Sequence, residues 1–326
     1  MSRRQGAAGR HALASGSCIF ADVDGFQARF GQMLDLLPVE RGSFHARLTR
    51  VKLPTLRLMR AQEAAPRIAC VSLPPEPVFV TFPTERTSPL ICDGVELQFG
   101  DIMFHSLGER LYQRTIAACR WGWISLTPAS LLTLSRTVAG EDLADPPVGR
   151  IVRPLPKDGL ALVRLHAQAC RIAETRLDRI GHKEVARALD QDLTWALMTC
   201  LAEGKVLHNP TARRHQSGLI TRFEAALTAH QHRLLRTPDV CRALGVSEQT
   251  LRTACAHVLG MSPSRYQRLR RLKLVRQELL RASPVAESVA EVVGRYGFTD
   301  PGHFLAEYRN AYGERPPGAR RGAADR

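Results

Sequence analysis

The chain of 326 residues is 44% hydrophobic and 24% charged, which allows two domains of ordinary size and argues against intrinsic disorder. Its 46 Lys and Arg against 31 Asp and Glu give a formal charge of +15, a surplus that suggests an anionic polymer, nucleic acid before membrane, with solubility charge as the bland alternative. Eight singly scattered cysteines, without C-x-x-C or a Cys/His cluster, argue against a zinc ribbon, a redox motif or a disulfide framework and for a reducing, cytoplasmic setting.

The opening "MSRRQGAAGRHALASGS" carries arginines but no apolar core after them. It is expected to be a disordered tail over 1–17, not a secretion signal. No run of about 18 or more apolar residues occurs, so no membrane span is expected. From Phe20 to Leu126 short alternating segments follow one another: "SFHARLTRVKL", "LRLMRAQ", "RIACVSL", "PVFVTF", "LICDGVELQFGDIMFHS" and "CRWGWISL", with prolines and Asp-Gly or Gly-Asp turns between them. Regular short strands of this kind predict a small barrel or sandwich. Helical spacing takes over near Gly159. Leu162, Leu165, Ala169, Ile172, Ala173 and Ile180 form one stripe, and Val185, Leu189, Leu193, Leu197 and Leu201 a second, able to pack on each other, on the barrel or on a second copy.

The polar stretch over 204–217, with Asn-Pro and Ser-Gly pairs, reads as a linker between a domain at 18–203 and another at 218–317. Beyond Thr211, 20 Lys and Arg oppose 10 Asp and Glu, against 26 and 21 in the first 210 residues, so the basic surplus is concentrated at the C-terminal end. The sequence there is helical with sharp punctuation. "PDVCRALGVSEQTLRTACAHVL" is a short helix, a glycine turn and a second helix opened by Ser247, the pattern of a helix-turn-helix. Thr237 is expected to cap the first of these helices and Pro238 to open it. "SVAEVVGRYGFTDPGHFLAEYRNAYG" repeats the order, with Gly297 as the break, Asp300-Pro301 as the start signal, and Phe304, Tyr308 and Tyr312 on one buried stripe. A basic helix, "SRYQRLRRLKLVRQELLRA", joins the two units. At roughly 20 residues it spans about 30 Å, close to the roughly 34 Å of one turn of B-DNA. One chain could thus set two helices in successive major grooves. A last tail is expected at 318–326.

These motifs, "LGVSEQTLRTAC", "LGMSPSRYQRLRRLKLVRQELL" and "VAEVVGRYGFTDPGHFLAEYRNAYGERP", resemble the DNA-binding domain of AraC/XylS-type transcription regulators over about 219–316. Two departures stand out. Cys255 occupies a position where that family usually has phenylalanine, which implies a looser first core. Pro301 and Gly302 stand where members often present polar side chains, so the second unit is expected to grip the backbone more than it reads bases.

On the first recognition helix Gln249, Arg252 and Thr253 share an exposed face. Their chemistries suit adenine, guanine and the thymine methyl, and the resemblance assigns base contact to the same positions; a merely solvated face is the competing reading. On the second helix His303 and Ala306 are the base-reading candidates, and Arg309, Asn310 and Arg268 the candidates for phosphate. His303 could instead simply cap backbone, and arginines of the connecting helix could instead pair with Glu278 or Glu287.

The resemblance further implies an α+β protein of two domains: a cupin-like β-barrel with trailing helices for a small-molecule effector and homodimerisation, then an all-α double helix-turn-helix that binds an operator, habitually as an activator, with RNA polymerase a further partner. Candidates for effector contact are Arg57, Phe79, Phe104, Trp121 and Trp123, although barrel aromatics are more often plain core. Arg57, Arg60 or Arg67 could face a carboxylate. His45 and His105 are isolated, so no metal is expected, and without a G-x-S-x-G motif or a P-loop neither catalysis nor a cofactor is expected. The alternative reading is a metal-free cupin-type enzyme carrying a DNA-binding domain; a regulator without effector is a third. A repair methyltransferase would need a cysteine quartet that Cys18 and Cys70 do not supply.

Overall fold

The computed structural model describes residues 15–39, 44–140, 142–207, 210–232, 235–281 and 288–317, with 210–214 described by backbone alone. Residues 1–14 and 318–326, most of the two expected tails, lie outside that set.

The N-terminal domain is a cupin-like barrel of two antiparallel sheets. The larger contains β1 (Gly16–Phe20), β3 (Ala46–Lys52), β4 (Arg57–Glu63), β11 (Cys119–Leu126), β6 (Val78–Pro83), β9 (Ile102–Phe104), β12 (Arg150–Arg153) and β13 (Lys205–Val206), hydrogen-bonded in that spatial order. The smaller contains β2 (Leu34–Pro38), β5 (Arg67–Ser72), β10 (Arg110–Thr115), β7 (Leu90–Cys92) and β8 (Val95–Leu97). Alternation along the strands sorts side chains between two cores, because successive residues point to opposite faces. Leu48, Ala61, Met59 and Trp121 of the large sheet meet Leu36, Ala69 and Leu111 of the small one inside the barrel. Leu58, Val80, Phe82 and Ile124 face the other way, against α2 (Pro128–Ala139), α3 (Pro156–Thr175), α4 (Leu177–Gly181) and α5 (Lys183–Glu203). Both expected helical stripes are therefore buried on their own barrel, with Leu162, Ala169, Leu193 and Leu197 at its centre. α1 (Val23–Ala28) and a 3-10 turn at Gly31–Met33 close one mouth of the barrel, with Phe26 buried and Phe30 against Trp121 and Trp123.

Two expectations need correction. Gly16 and Ser17, assigned to a tail, pair with Arg50 and Thr49 in β1. The stretch at 204–217, expected as a linker, begins as β13 paired to β12 and continues from Pro210 as α6 (Pro210–Ala229). Leu219, Ile220, Phe223 and Leu227, one to four residues apart, bury one face of that helix and so carry it through the polar residues before them.

The C-terminal domain is all helical: α6, α7 (Thr237–Leu244), α8 (Glu248–Leu259), α9 (Pro263–Arg281), α10 (Val289–Arg295) and α11 (Pro301–Tyr312). α7 and α8 share a core with α6 through Val240, Leu251, Cys255 and Val258. α10 and α11 share one with the second half of α9 through Leu272, Val275, Val292, Phe304 and Tyr308. The two domains also meet. Leu37, Ile68 and Tyr112 of the small sheet belong to the same apolar cluster as Leu219, Phe223 and Tyr266.

Candidate nucleic-acid interface

Each helix-turn-helix turns on a residue in the left-handed region, Gly245 at φ 67° and Gly297 at φ 70°, a conformation that costs side-chain-bearing residues energy and glycine little. In the first unit Ser247 caps α8 by accepting from Thr250 N at 3.0 Å. α7 begins one residue earlier than expected: Arg236 is its N-cap and Thr237 its first helical residue, so Pro238 still falls in the first turn, where a missing N–H costs nothing. α8 buries Leu251, Ala254, Cys255, Val258 and Leu259. Gln249, Arg252 and Thr253 lie together on its exposed side, and Gln249 Nε2 donates to Thr253 Oγ1 at 3.4 Å. Cys255 is fully buried, and burial pushes its thiol up to about 12, so it acts as a small apolar filler.

In the second unit Asp300 caps α11 by accepting from His303 N at 3.0 Å. Phe304 and Tyr308 are buried, while Pro301, Gly302, His303, Ala306 and Arg309 are exposed and Asn310 half-buried. The unit's first helix, α10, is opened by a capping box in which Ser288 and Glu291 satisfy each other's backbone N–H groups, a feature the sequence reading passed over.

α9 joins the units over 19 residues, about 28 Å at 1.5 Å per residue, and most of its cations are engaged within the chain. Arg268 Nε donates to Glu307 Oε2 at 2.7 Å and its Nη2 lies 2.8 Å from His303 Nδ1. The phosphate candidate and the base-reading candidate thus touch directly, and both face Glu307. Arg270 pairs with Glu224 at 2.8 Å, Arg271 donates to the Tyr296 carbonyl, Lys273 pairs with Asp35, and Arg276 binds Asp24, Tyr308 and Glu314 at 2.7, 2.7 and 2.6 Å. The expected partner Glu278 is taken by Arg295 and Tyr296 instead; Glu287 lies outside the described residues. Asn310 borders a groove of about 470 Å³ between α9, α11 and Val39 of the barrel, with Arg265 and Arg268 on its other wall.

The barrel candidates separate. Arg57 and Trp123 line a cavity of about 220 Å³ at the mouth closed by α1. Phe79 is buried behind Trp123, ring centroids 4.9 Å apart. Trp121 lies deeper and donates its indole N–H to Glu63. Phe104 faces the helices, not the barrel interior, because its strand points it to the opposite face. Neither other arginine is free for an effector: Arg67 is fully buried against Glu63 at 2.8 and 3.0 Å and Gln113 at 2.6 Å, and Arg60 pairs with Glu174 at 2.6 Å. Sequence reasoning missed Arg29 and Arg50, which line the same cavity. His105 is held by Thr81 and Glu109 at 2.9 and 2.8 Å. Among the described residues no three His, Cys, Asp or Glu are grouped as metal ligands, and no helix is long and apolar enough to cross a membrane.

A family model described as a helix-turn-helix domain matches residues 240–322. Over 220 residues the chain is 29% identical to a probable thc operon regulatory protein of Rhodococcus erythropolis, a match covering 64% of this chain and 65% of that one, so the chain spans less than two thirds of that relative's length. Among solved structures, the AraC-like transcriptional activator CuxR is similar at 16% identity over 81% of this chain and 96% of that one, with a TM-score of 0.43. ToxT from Vibrio cholerae O395 is similar at 9% identity over 88% and 96%, with a TM-score of 0.29.

Proposed function

We propose, from a C-terminal domain that is a helix-turn-helix domain of the AraC/XylS type, that the chain is a sequence-specific DNA-binding transcription regulator acting on an operator. The observation that carries this reading is the free face of α8. Gln249, Arg252 and Thr253 stand exposed on a helix whose opposite side is fully buried, and they offer the groups that recognise adenine, guanine and the thymine methyl in a major groove. α11 contributes contact with the backbone chiefly through exposed Arg309, with His303 and Ala306 as its nearest side chains to bases. Arg268 serves less directly, since Glu307 already holds it, and Asn310 is half-buried at the groove beside Val39. The name of the Rhodococcus relative, an operon regulator, supports the same reading.

The N-terminal domain senses a small molecule in this proposal and pairs protomers. Trp195, 61% exposed on α5, and Leu177, 48% exposed on α4, support pairing through those helices. Activation, with contact to RNA polymerase, is the outcome this type of regulator favours. The test is selection of genomic DNA by purified protein, wild type and Arg252→Ala. A motif of two elements about one helical turn apart, relaxed at one position in the variant, is expected. Enrichment of no sequence, with or without cell extract as an effector source, overturns the reading and favours the enzyme alternative, in which a bound small molecule would be turned over.

A further inference from the structure

Glu307 is the one acidic residue within α11, and it stands among the cations that a DNA backbone would seek. It follows His303 by four residues, so the two share a face of the helix, with the carboxylate 3.7 Å from the imidazole. Arg268 reaches that face from α9. Its Nε lies 2.6 and 2.7 Å from the two carboxylate oxygens, and its Nη2 lies 2.8 Å from His303 Nδ1. The side chains of Arg268 and His303 are 46% and 53% exposed and that of Glu307 22%, so the carboxylate is the most sheltered of the three. Arg268 and His303 also line the cleft between the two helix-turn-helix units, beside Ser264, Thr299 and Asp300.

This ion pair is not what fastens α11. Phe304, Tyr308 and Ala311 are buried in the cluster built on Leu272 and Val275 of α9, and Tyr308 accepts from Arg276 at 2.7 Å; a half-exposed pair adds little to that. Nor is the carboxylate held for Arg271, which lies over the Phe298 ring and donates to the Tyr296 carbonyl. What remains is an electrostatic role. A guanidinium fork suits a phosphate as well as a carboxylate, so a carboxylate already on Arg268 competes with any phosphate for it and repels that phosphate by its own charge. Arg309, exposed on the same helix, has no such partner among the described residues.

We infer that Glu307 is a built-in brake on backbone binding: it occupies Arg268 and His303 and so limits the sequence-independent grip of the second helix-turn-helix on DNA. This brake, which rests on the DNA-binding reading, matters because α11 offers few groups that read bases. A phosphate contact from Arg268 would add affinity for every sequence alike. With Arg268 held, the second unit adds little to binding of arbitrary DNA, and the chain leaves wrong sites faster.

The experiment measures binding of the full chain to a duplex of arbitrary sequence, and to any motif recovered by selection, over a range of salt. The proteins are wild type, Glu307→Gln, Arg268→Gln and the double variant. Glu307→Gln keeps the size of the side chain and removes its charge. It is expected to bind both duplexes about tenfold more tightly at low salt, with log affinity falling more steeply against log salt by about 0.9, the effect of one further phosphate. Neutral methylphosphonate placed singly along the backbone of the motif is expected to reveal one position to which Glu307→Gln is sensitive and wild type is not. The double variant should lose that sensitivity, which separates contact by Arg268 from simple removal of a negative charge. Unchanged or weaker binding by Glu307→Gln, a melting temperature well below that of wild type, or the absence of a newly sensitive phosphate overturns the inference. A recovered motif with unchanged Glu307→Gln removes the brake and leaves the regulator. No motif, with tighter and more salt-sensitive binding of the arbitrary duplex by Glu307→Gln, does the reverse, and no binding of any duplex by any variant overturns both.

Discussion

Inside the barrel Arg67 keeps a full guanidinium that water does not reach, and it does so because Glu63, Gln113 and the Trp121 indole close a network around it. Breaking one member of a buried pair costs more than the pair contributes, since the remaining charge is left without solvent or partner. Glu63→Ala is therefore expected to destabilise by about 3–5 kcal/mol, read as a lower urea midpoint with an unchanged slope. His166 gives a prediction in pH. Its imidazole is buried against Gly122 with Nε2 donating to the Met59 carbonyl at 3.0 Å, and burial holds it down at about 4, against a smaller upward pull from that hydrogen bond and a downward one from Arg60. The folded value lies below the unfolded one near 6.5, so the unfolded chain takes up the proton first as pH falls. The neutral histidine's contribution is then complete above about pH 6.5 and lost progressively toward pH 4, up to roughly 3 kcal/mol. Unfolding free energy should fall between pH 7 and pH 5, before ordinary carboxylates titrate, and fall less steeply in His166→Gln; identical slopes would contradict this account. At this scale the sequence disclosed exposure but not partnership. Gln249, Arg252 and Thr253 could be placed outward from spacing alone, whereas Arg276 finds Asp24 at a separation of 252 residues, which no local pattern reveals.

Among elements, those with a strong period or a sharp start were legible. The alternating strands of the barrel, the two long stripes now seen in α3 and α5, and the cap-and-proline start of α11 all fall where sequence puts them. The missed elements are short or lie at an edge. β1 has an exposed burial pattern because it forms the rim of the sheet; α1 is six residues long with Gly25 inside it, too brief to show a helical period; and α6 begins in polar sequence that only its buried second half makes helical. α2 did carry a signal, Thr127 capping Pro128 and Gly140 ending the helix in the left-handed region, the same device recognised farther along. Capping matters most at α8. Ser247 satisfies one orphan N–H at the end from which Gln249 and Arg252 project, so Ser247→Ala is expected to cost about 1 kcal/mol of stability. It should weaken operator binding with every base preference retained, since it loosens the helix without removing a reader. Arg252→Ala should do the opposite: little change in stability, and about 1–3 kcal/mol lost at one base position. Measuring unfolding and operator affinity for both variants separates positioning from reading.

Across the whole molecule, sequence periodicity assigns each element a buried face but not the surface it meets, and the joint between the domains went unread for that reason. The joint is a shared core. Leu37, Ile68 and Tyr112, on the outer face of the barrel's small sheet, pack with Leu219, Ile220, Phe223 and Tyr266, and Tyr266 donates to Glu224 within the same cluster. The end of α8 also rests on the barrel: a Cβ on Gly94, in the turn between β7 and β8, would lie 2.1 Å from His257 Nδ1. The first helix-turn-helix is thereby fused to the N-terminal domain, while the second is attached through α9 and the ion pairs to Asp24 and Asp35. If the core is truly common, barrel and first unit lose structure together. The three tryptophans, Trp121, Trp123 and Trp195, all report on the N-terminal domain, and amide exchange over 248–259 reports on α8. Ile68→Ala removes a side chain 2% exposed and should cost about 2–5 kcal/mol. Independent domains would confine that loss to the tryptophan signal. A shared core requires it in both, with fluorescence and α8 exchange shifting by the same free energy, and exchange at α10 and α11 shifting less because their own cluster, built on α9, does not include Ile68.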